Sequence, residues 1–233
     1  MRLLVTRPEP DGERTAAALR ARGHHVMAAA LLQMQTMDCE IPSASYSAIV
    51  MTSANAARAV AEHPRRTELV SLPVFAVGAH TAELARTSGF PEVHSAAGDK
   101  QQLSAMLAQS LAGGPHLLLY LAGEDRAGEL EVAECARVVT AVIYRMVKRR
   151  KFDATVEAAL AQGEIDGVLH FSRRSAEAYL DCAVRSDIRQ QALAPVHYCL
   201  SRQVAAPLAE AGVAAIRIPP RPDEVALIEL VDG

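Results

Sequence analysis

The residues with most chemical promise are hydroxyls placed where strands give way to helices, and one tyrosine placed where a strand gives way to charge. Tyr144 closes the run Val138-Val-Thr-Ala-Val-Ile-Tyr, which is β-branched or aromatic apart from Ala141 and so favours an extended strand. The next seven residues, Arg145 to Lys151, carry five cationic side chains, so the phenol is expected to reach a wet, cationic space. Ser53 and Asn55 follow the apolar run Tyr46 to Thr52, Ser172 and Ser175 follow Ile165 to Phe171, and Ser201 and Arg202 follow Val196 to Leu200. Arg7 follows Arg2 to Thr6, and Thr81 lies in the first turn of a helix after Val77-Gly-Ala-His. A helix start offers free N–H groups and a partial positive charge, so hydroxyl, amide and guanidinium groups there suit an anion. The same serines also serve as plain helix caps. There is neither a phosphate loop nor a GxGxxG, so no nucleotide fingerprint is present, and multiple carboxylates on a flexible ligand would suit such junctions.

Composition removes other chemistries. A formal charge of −3 over 233 residues gives no overall field for nucleic acid, so an anion must be met locally. Cys39, Cys135, Cys182 and Cys199 form no CxxC pair, and the eight histidines include no HExxH, so no metal site is expected and the cysteines read as reduced core thiols. No serine-hydrolase elbow or paired-carboxylate site is evident, and the adjacent Glu124 and Asp125 do not face one another. With no signal-like N-terminus and no 18-residue apolar run, a cytoplasmic protein without membrane contact is expected. The Lys148-Arg-Arg-Lys run reads as a solvated face.

These residues need elements to hold them. Strands are expected at Arg2–Thr6, His24–Gln35, Tyr46–Ser53, Pro73–Gly78, Glu92–His94, His116–Ala122, Val138–Tyr144, Ile165–Phe171, Val196–Leu200 and Ala215–Ile218. Helices alternate with them, including one from about Ala127 to Ala136, with Asp11, Asp99 and Asp223 as caps and Gly23, Gly89, Gly163 and Gly212 as stops. Such alternation specifies α/β units with parallel sheets covered on both faces. The chain also repeats itself. Val26 to Met34 matches Val138 to Met146, Ile49 to Ala57 matches Val168 to Ala176, and Val77 to Ala82 matches Leu200 to Ala205. Gly89 falls opposite Gly212, and Asp99 opposite Asp223. Four elements matched in one order imply a duplication, and two similar Rossmann or flavodoxin-like domains. Gly113-Gly114-Pro115 separates the two halves. If the two domains turn their strand ends toward each other, the cleft is a large anion-binding surface.

Thr6-Arg-Pro-Glu-Pro after the first strand, Thr52-Ser-Ala-Asn-Ala, Val77-Gly-Ala-His-Thr-Ala-Glu-Leu with Gly89-Phe90, and the Tyr144 strand together resemble uroporphyrinogen-III synthases, over Leu3 to Leu230. The resemblance implies two α/β domains joined by a two-stranded connector that the chain crosses twice. One domain would be residues 1–35 with 151–233, the other 45–137, and the connector 36–44 with 138–150. It also implies a monomer without a cofactor. The substrate would be the linear tetrapyrrole hydroxymethylbilane, closed with loss of water and inversion of ring D, and its supplier a transient partner.

Tyr144 matches the family's tyrosine implicated as proton donor. A phenol with an ordinary pKa near 10 is protonated at neutral pH and can donate. Thr81 matches a threonine at the family's cleft. The equivalent stretch in the other half, Leu200-Ser-Arg-Gln-Val, departs from the family's glycine and threonines, leaving Ser201 or Arg202 to meet a carboxylate. Ser53, Asn55, Ser172, Ser175 and Arg7 complete the expected contacts, with Arg126, Arg173 and Arg174 as further cations. The competing readings are a non-catalytic binder of tetrapyrroles or other polyanions on the same scaffold, and a transferase or isomerase of a small phosphorylated metabolite. The second would want the phosphate loop that is missing here.

Overall fold

The computed structural model describes residues 1–96, 100–111, 115–125, 130, 132 and 136–233. Strand β1 (Arg2–Val5) leads into helix α1 (Asp11–Arg20) and strands β2 (His25–Ala28) and β3 (Leu32–Thr36). Then come β4 (Ala48–Met51), α2 (Ala54–Ala61), the short α3 (Arg66–Leu69), β5 (Val74–Ala76), α4 (Ala79–Thr87), β6 (Val93–Ser95) and α5 (Lys100–Ser110). After β7 (His116–Gly123) and the long β8 (Ala136–Lys148) follow α6 (Ala154–Ala161), β9 (Gly167–His170), α7 (Arg173–Arg185) and α8 (Arg189–Leu193). The chain ends with β10 (Val196–Cys199), α9 (Arg202–Glu210), β11 (Ile216–Arg217) and α10 (Glu224–Asp232).

Two compact units result: Met1–Gln33 with Val147–Gly233 (unit 1), and Met34–Met146 (unit 2). The chain therefore passes between units inside β3 and again inside β8. Unit 1 holds a sheet ordered β11-β10-β9-β1-β2, parallel at every pairing. Read along the chain this is the 2-1-3-4-5 order of a flavodoxin-like sheet. The second sheet runs β3-β8-β7-β4-β5-β6, and β8-β7-β4-β5-β6 is parallel. Here the chain draws the same order from a different start: β7 and β8 occupy the places of β1 and β2, but come last instead of first. The duplication read from the sequence thus survives as a circular permutation of one sheet. β3 runs against β8, since Met37 N–H donates to Ile143 O (2.8 Å) and Arg149 N–H to Leu31 O (2.9 Å).

Central strands carry continuous apolar runs because helices cover both faces of a parallel sheet. All four residues of β4 and of β9 are buried, and a fully buried Ile49 or Val50 contributes on the order of 2 kcal/mol. One face of the unit 2 sheet packs Ile49, Met51, Leu119 and Leu121 against Ala56, Ala57 and Val60 of α2. The other packs Val50, Leu118 and Tyr120 against Leu103 and Leu107 of α5. Alanines on α2 let its backbone come close to the sheet.

Several expectations need correction. His24 to Gln35 is not one strand, since β2 and β3 are divided at Ala29–Leu31. Asp11 is the first residue of α1, not its cap, and Pro10 stands at the cap position without a side-chain bond. Val138 to Tyr144 pairs with β7 from the start of β8, and Ala136, expected to end a helix, begins that strand. Most of the Ala127 to Ala136 segment lies outside the described residues, as do Asp99, Gly113, Gly114, Arg126 and Cys135. Gly89 and Gly212 do stop their helices, at φ +104° and +92°, a left-handed turn only glycine takes without strain. Asp223 caps α10, accepting from Ala226 N–H at 2.8 Å.

Candidate active site

A ligand crevice in an open parallel sheet opens outside the carboxyl ends of two neighbouring strands whose next connections leave in opposite directions. In unit 2 those strands are β4 and β7: the chain leaves β4 toward β5 and β7 toward β8. In unit 1 they are β1 and β9.

The unit 2 crevice is built around an irregularity in β8. Leu118 to Ala122 pair with Val138 to Val142 in step, but Gly123 pairs with Tyr144, so one residue of β8 is extra. Such a bulge reverses the alternation of side chains. Val139, Ala141 and Ile143 lie on the face toward α2, and beyond the bulge Tyr144 and Met146 join that same face. Glu124 N–H then donates to Tyr144 O at 2.9 Å, continuing the pairing. Tyr144 is 7% exposed and packs in the apolar cluster under α2, so the expected wet, cationic setting is corrected. Burial pushes its phenol above the ordinary pKa, a hydrogen bond with Ser53 pulls the other way, and Tyr120 and Asp125 add to the rise. The group is a neutral donor throughout the physiological range.

Ser53 is the N-cap of α2, accepting from Asn55 N–H at 3.2 Å. Both ends of the Asn55 amide are engaged: Nδ2 with Met146 Sδ (3.4 Å) and Oδ1 with Arg58 Nη1 (2.7 Å). Thr52 Oγ1 and Tyr120 OH are 2.9 Å apart, bridging β4 to β7. Thr81 is buried at the third position of α4, behind Gly78 in the cap position, at the neighbouring β5–α4 junction.

In unit 1 the crevice is closed by pairing. The Arg7 guanidinium lies 4.8 Å above the Phe171 ring, and its Nη1 contacts Glu224 Oε2 at 2.9 Å. Glu224 also accepts from Thr15 Oγ1 (2.6 Å) and Arg14 Nη2 (3.0 Å). Burial pushes its carboxyl up, but the Thr15 and Arg7 hydrogen bonds outweigh this and hold it below the usual range. Arg7, expected to face a ligand, is thus matched internally. Ser172 caps α7 through Ser175 N–H (3.1 Å) and its Oγ meets Ser175 Oγ at 2.9 Å. Ser201 caps α9 through Val204 N–H (3.4 Å). Ser201 and the exposed Arg202 line a hollow of about 510 Å³ with Ile218, Pro219, Pro220 and Pro222. Lys148 pairs with Glu177 (3.4 Å) and Asp181 (3.3 Å), and Arg173 with Glu177 (3.0 Å).

Burial pushes the Cys182 and Cys199 thiols up to about 11 and about 12, which makes them poor nucleophiles at neutral pH. Among the described residues no cluster of three or more His, Cys, Asp or Glu could hold a metal, and no helix is long and apolar enough to cross a membrane.

The fold agrees with comparison to known proteins. Residues 13–229 match the family described as uroporphyrinogen-III synthase HemD. The chain belongs to the uroporphyrinogen-III synthase family. It is therefore an enzyme, a lyase of porphyrin biosynthesis. Its fold is that of the uroporphyrinogen-III synthetase from Helicobacter pylori, at 18% identity and TM-score 0.67 over 99% of this chain and 98% of that one. A mutant uroporphyrinogen III synthase from the extremely thermophilic bacterium Thermus thermophilus is also similar, at 16% identity and TM-score 0.51 over 100% and 98% of the two chains. No curated protein matches the chain.

Set in this synthase fold, the expected site residues fall into groups. Tyr144, Ser53 and Asn55 gather at the unit 2 crevice, and Arg7, Ser172 and Ser175 at the unit 1 crevice. Ser201 and Arg202 share the hollow beside α9, while Thr81 stands at its own junction. The sequence reading missed Gly123, the Thr52–Tyr120 bridge, Phe171 and Glu224. Only Gly123 left a trace, as a glycine closing an otherwise unbroken apolar strand.

Proposed function

We propose that the chain closes hydroxymethylbilane to uroporphyrinogen III with Tyr144 as the proton donor. The ring A hydroxyl must leave as water, and the pyrrole nitrogen already pushes it out. A donor at that oxygen completes the departure and leaves an azafulvene. Attack by the far end through a spiro intermediate, fragmentation and reclosure then invert ring D. The observation that carries this reading is the Tyr144 phenol, buried where β8 pairs with the last residue of β7 at the unit 2 crevice, and kept neutral by that burial. A neutral acid donates without drawing in a counter-ion, and a phenolate formed there has the start of α2 behind Ser53 to stabilise it.

In this reading the substrate's carboxylates meet Thr81 in unit 2, and Ser201 and Arg202 in the hollow beside α9. Ser172, Ser175 and Arg7 serve chiefly to hold unit 1 in shape. Residues 1–35 with 151–233 and residues 45–137 act as the two working domains, with 36–44 and 138–150 as the connector. The protein works as a cytoplasmic monomer and takes substrate in transient contact with the enzyme that makes it. Assay with freshly made hydroxymethylbilane tests the function. Spontaneous closure gives isomer I, so an excess of isomer III is expected, and isomer I alone would leave only a tetrapyrrole-binding role.

A further inference from the structure

We infer that Gly123 is a positioning residue for the reaction, the absence of its side chain forming the seat on which the Tyr144 ring lies. A Cβ at residue 123 would stand 2.6 Å from Tyr144 Cζ and 2.8 Å from both Cε2 and OH. Glycine is not there for its backbone, since residue 123 is outside the set of positive-φ glycines, Gly23, Gly89, Gly163 and Gly212. The bulge explains why the ring needs the space. By making Gly123 the partner of Tyr144, it turns the tyrosine onto the α2 face directly over its neighbour on β7. On that face the ring lies across β7 with its hydroxyl beside Ser53. Any side chain at 123 would lift the phenol away from the Ser53 cap. The bulge and the glycine thus set one ring from two strands, on the side where Ser53 bears on its hydroxyl.

The inference rests on Tyr144 being the proton donor, and the test separates the two. The contact is with the tip of a side chain, so Gly123→Ala relieves it by swinging the ring roughly 1 Å, to ordinary van der Waals distance, with the backbone kept. A displacement of that size in a reacting group costs on the order of 10²-fold in rate. The expected result is such a fall in kcat for isomer III, with KM within about twofold.

Gly123→Ala, Tyr144→Phe and the double variant are compared with wild type. If the glycine acts through the phenol, the double variant is no slower than Tyr144→Phe alone. If alanine slows the Phe background by the same factor as the wild type, the glycine serves the fold and the inference is overturned. An unchanged Gly123→Ala beside a crippled Tyr144→Phe overturns it too, while leaving the proton donor standing. A fully active Tyr144→Phe removes the donor and the seat together.

Folding is controlled in two ways. Gly167 in unit 1 faces a similar contact, its Cβ falling 2.8 Å from Tyr198 Cε2, but Tyr198 is a core residue. Gly167→Ala should lower the melting temperature without changing the isomer ratio or pH profile. Should Gly123→Ala fail to fold, adding Tyr144→Ala restores folding if the ring contact is the cause. Continued failure would trace the defect to the backbone and overturn the inference.

Discussion

The two crevices stand at equivalent places in equivalent sheets, yet they are furnished for different work. In unit 2 a buried phenol rests over Gly123 beside a helix-capping serine. In unit 1 the repeat puts Leu32 where Tyr144 stands, and the crevice is filled by Arg7, stacked on Phe171 and paired with Glu224. A leucine has no proton to give, and a guanidinium already matched by a carboxylate has little charge to offer. Duplication kept the spatial layout of the sheet in both halves, while chemistry collected in one and an internal ion-pair network in the other. Sheet topology places a crevice; the side chains at its rim decide what it does.

The sharpest way to break this contrast is Tyr144→Phe, which should lower isomer III formation by roughly 10² to 10⁴-fold with the melting temperature nearly unchanged. The matching change in unit 1, Leu32→Phe, should alter stability and not product. Acid provides a second contrast. His170 and His197 are fully buried in unit 1, with Nε2 of the first 3.0 Å from Nδ1 of the second and with Thr6 and the Ala192 carbonyl at the two ends. Burial pushes His197 down to about 4, and burial with the neighbouring histidine's charge pushes His170 well below its ordinary value. Unfolded histidines titrate near 6.5, so the unfolded chain binds more protons below that pH and stability falls as pH drops from about 6.5 toward 4. His197 alone accounts for about 3 kcal/mol of this. Melting curves across that range should show the loss, with a shallower slope in His197→Gln.

Smaller effects refine the picture. Glu224→Gln leaves Arg7 and Arg14 without their carboxylate and should cost about 2 kcal/mol in denaturant unfolding, with kcat changed less than about threefold. Ser172→Ala and Ser201→Ala each remove a cap and should cost about 1 kcal/mol. Ser53→Ala should cost the same and also slow the reaction, because Ser53 is the cap that bears on the Tyr144 phenol. Equal kinetics in Ser53→Ala and Ser172→Ala would dissolve the distinction between the crevices.

Much of this was legible in the chain because it depends on short-range pattern. The matches of Val26 with Val138 and of Ile49 with Val168 marked β2 against β8 and β4 against β9, which do hold equivalent places. The serine caps were legible for the same reason: a hydroxyl between an apolar run and a helix has a local job. The bulge was hidden because Val138 to Tyr144 is apolar almost throughout, and a period of two shows its phase only when polar residues alternate. The Arg7–Glu224 pair joins residues far apart in the chain, and no local pattern links them. The seat at Gly123 likewise depends on a register between strands that sequence does not write down.

The permuted strand order also has a consequence for how the molecule is made. Unit 2 is one uninterrupted stretch, finished once Met146 has been synthesised, whereas β1 has a partner, β9, whose first paired residue is Gly167. Domains generally fold as units during translation, so the half with the phenol can mature on the ribosome while the opening strands of the other wait for the chain to return. Protease treatment of nascent chains halted between residues 146 and 167 would reveal that interval, as a resistant middle with a digestible beginning.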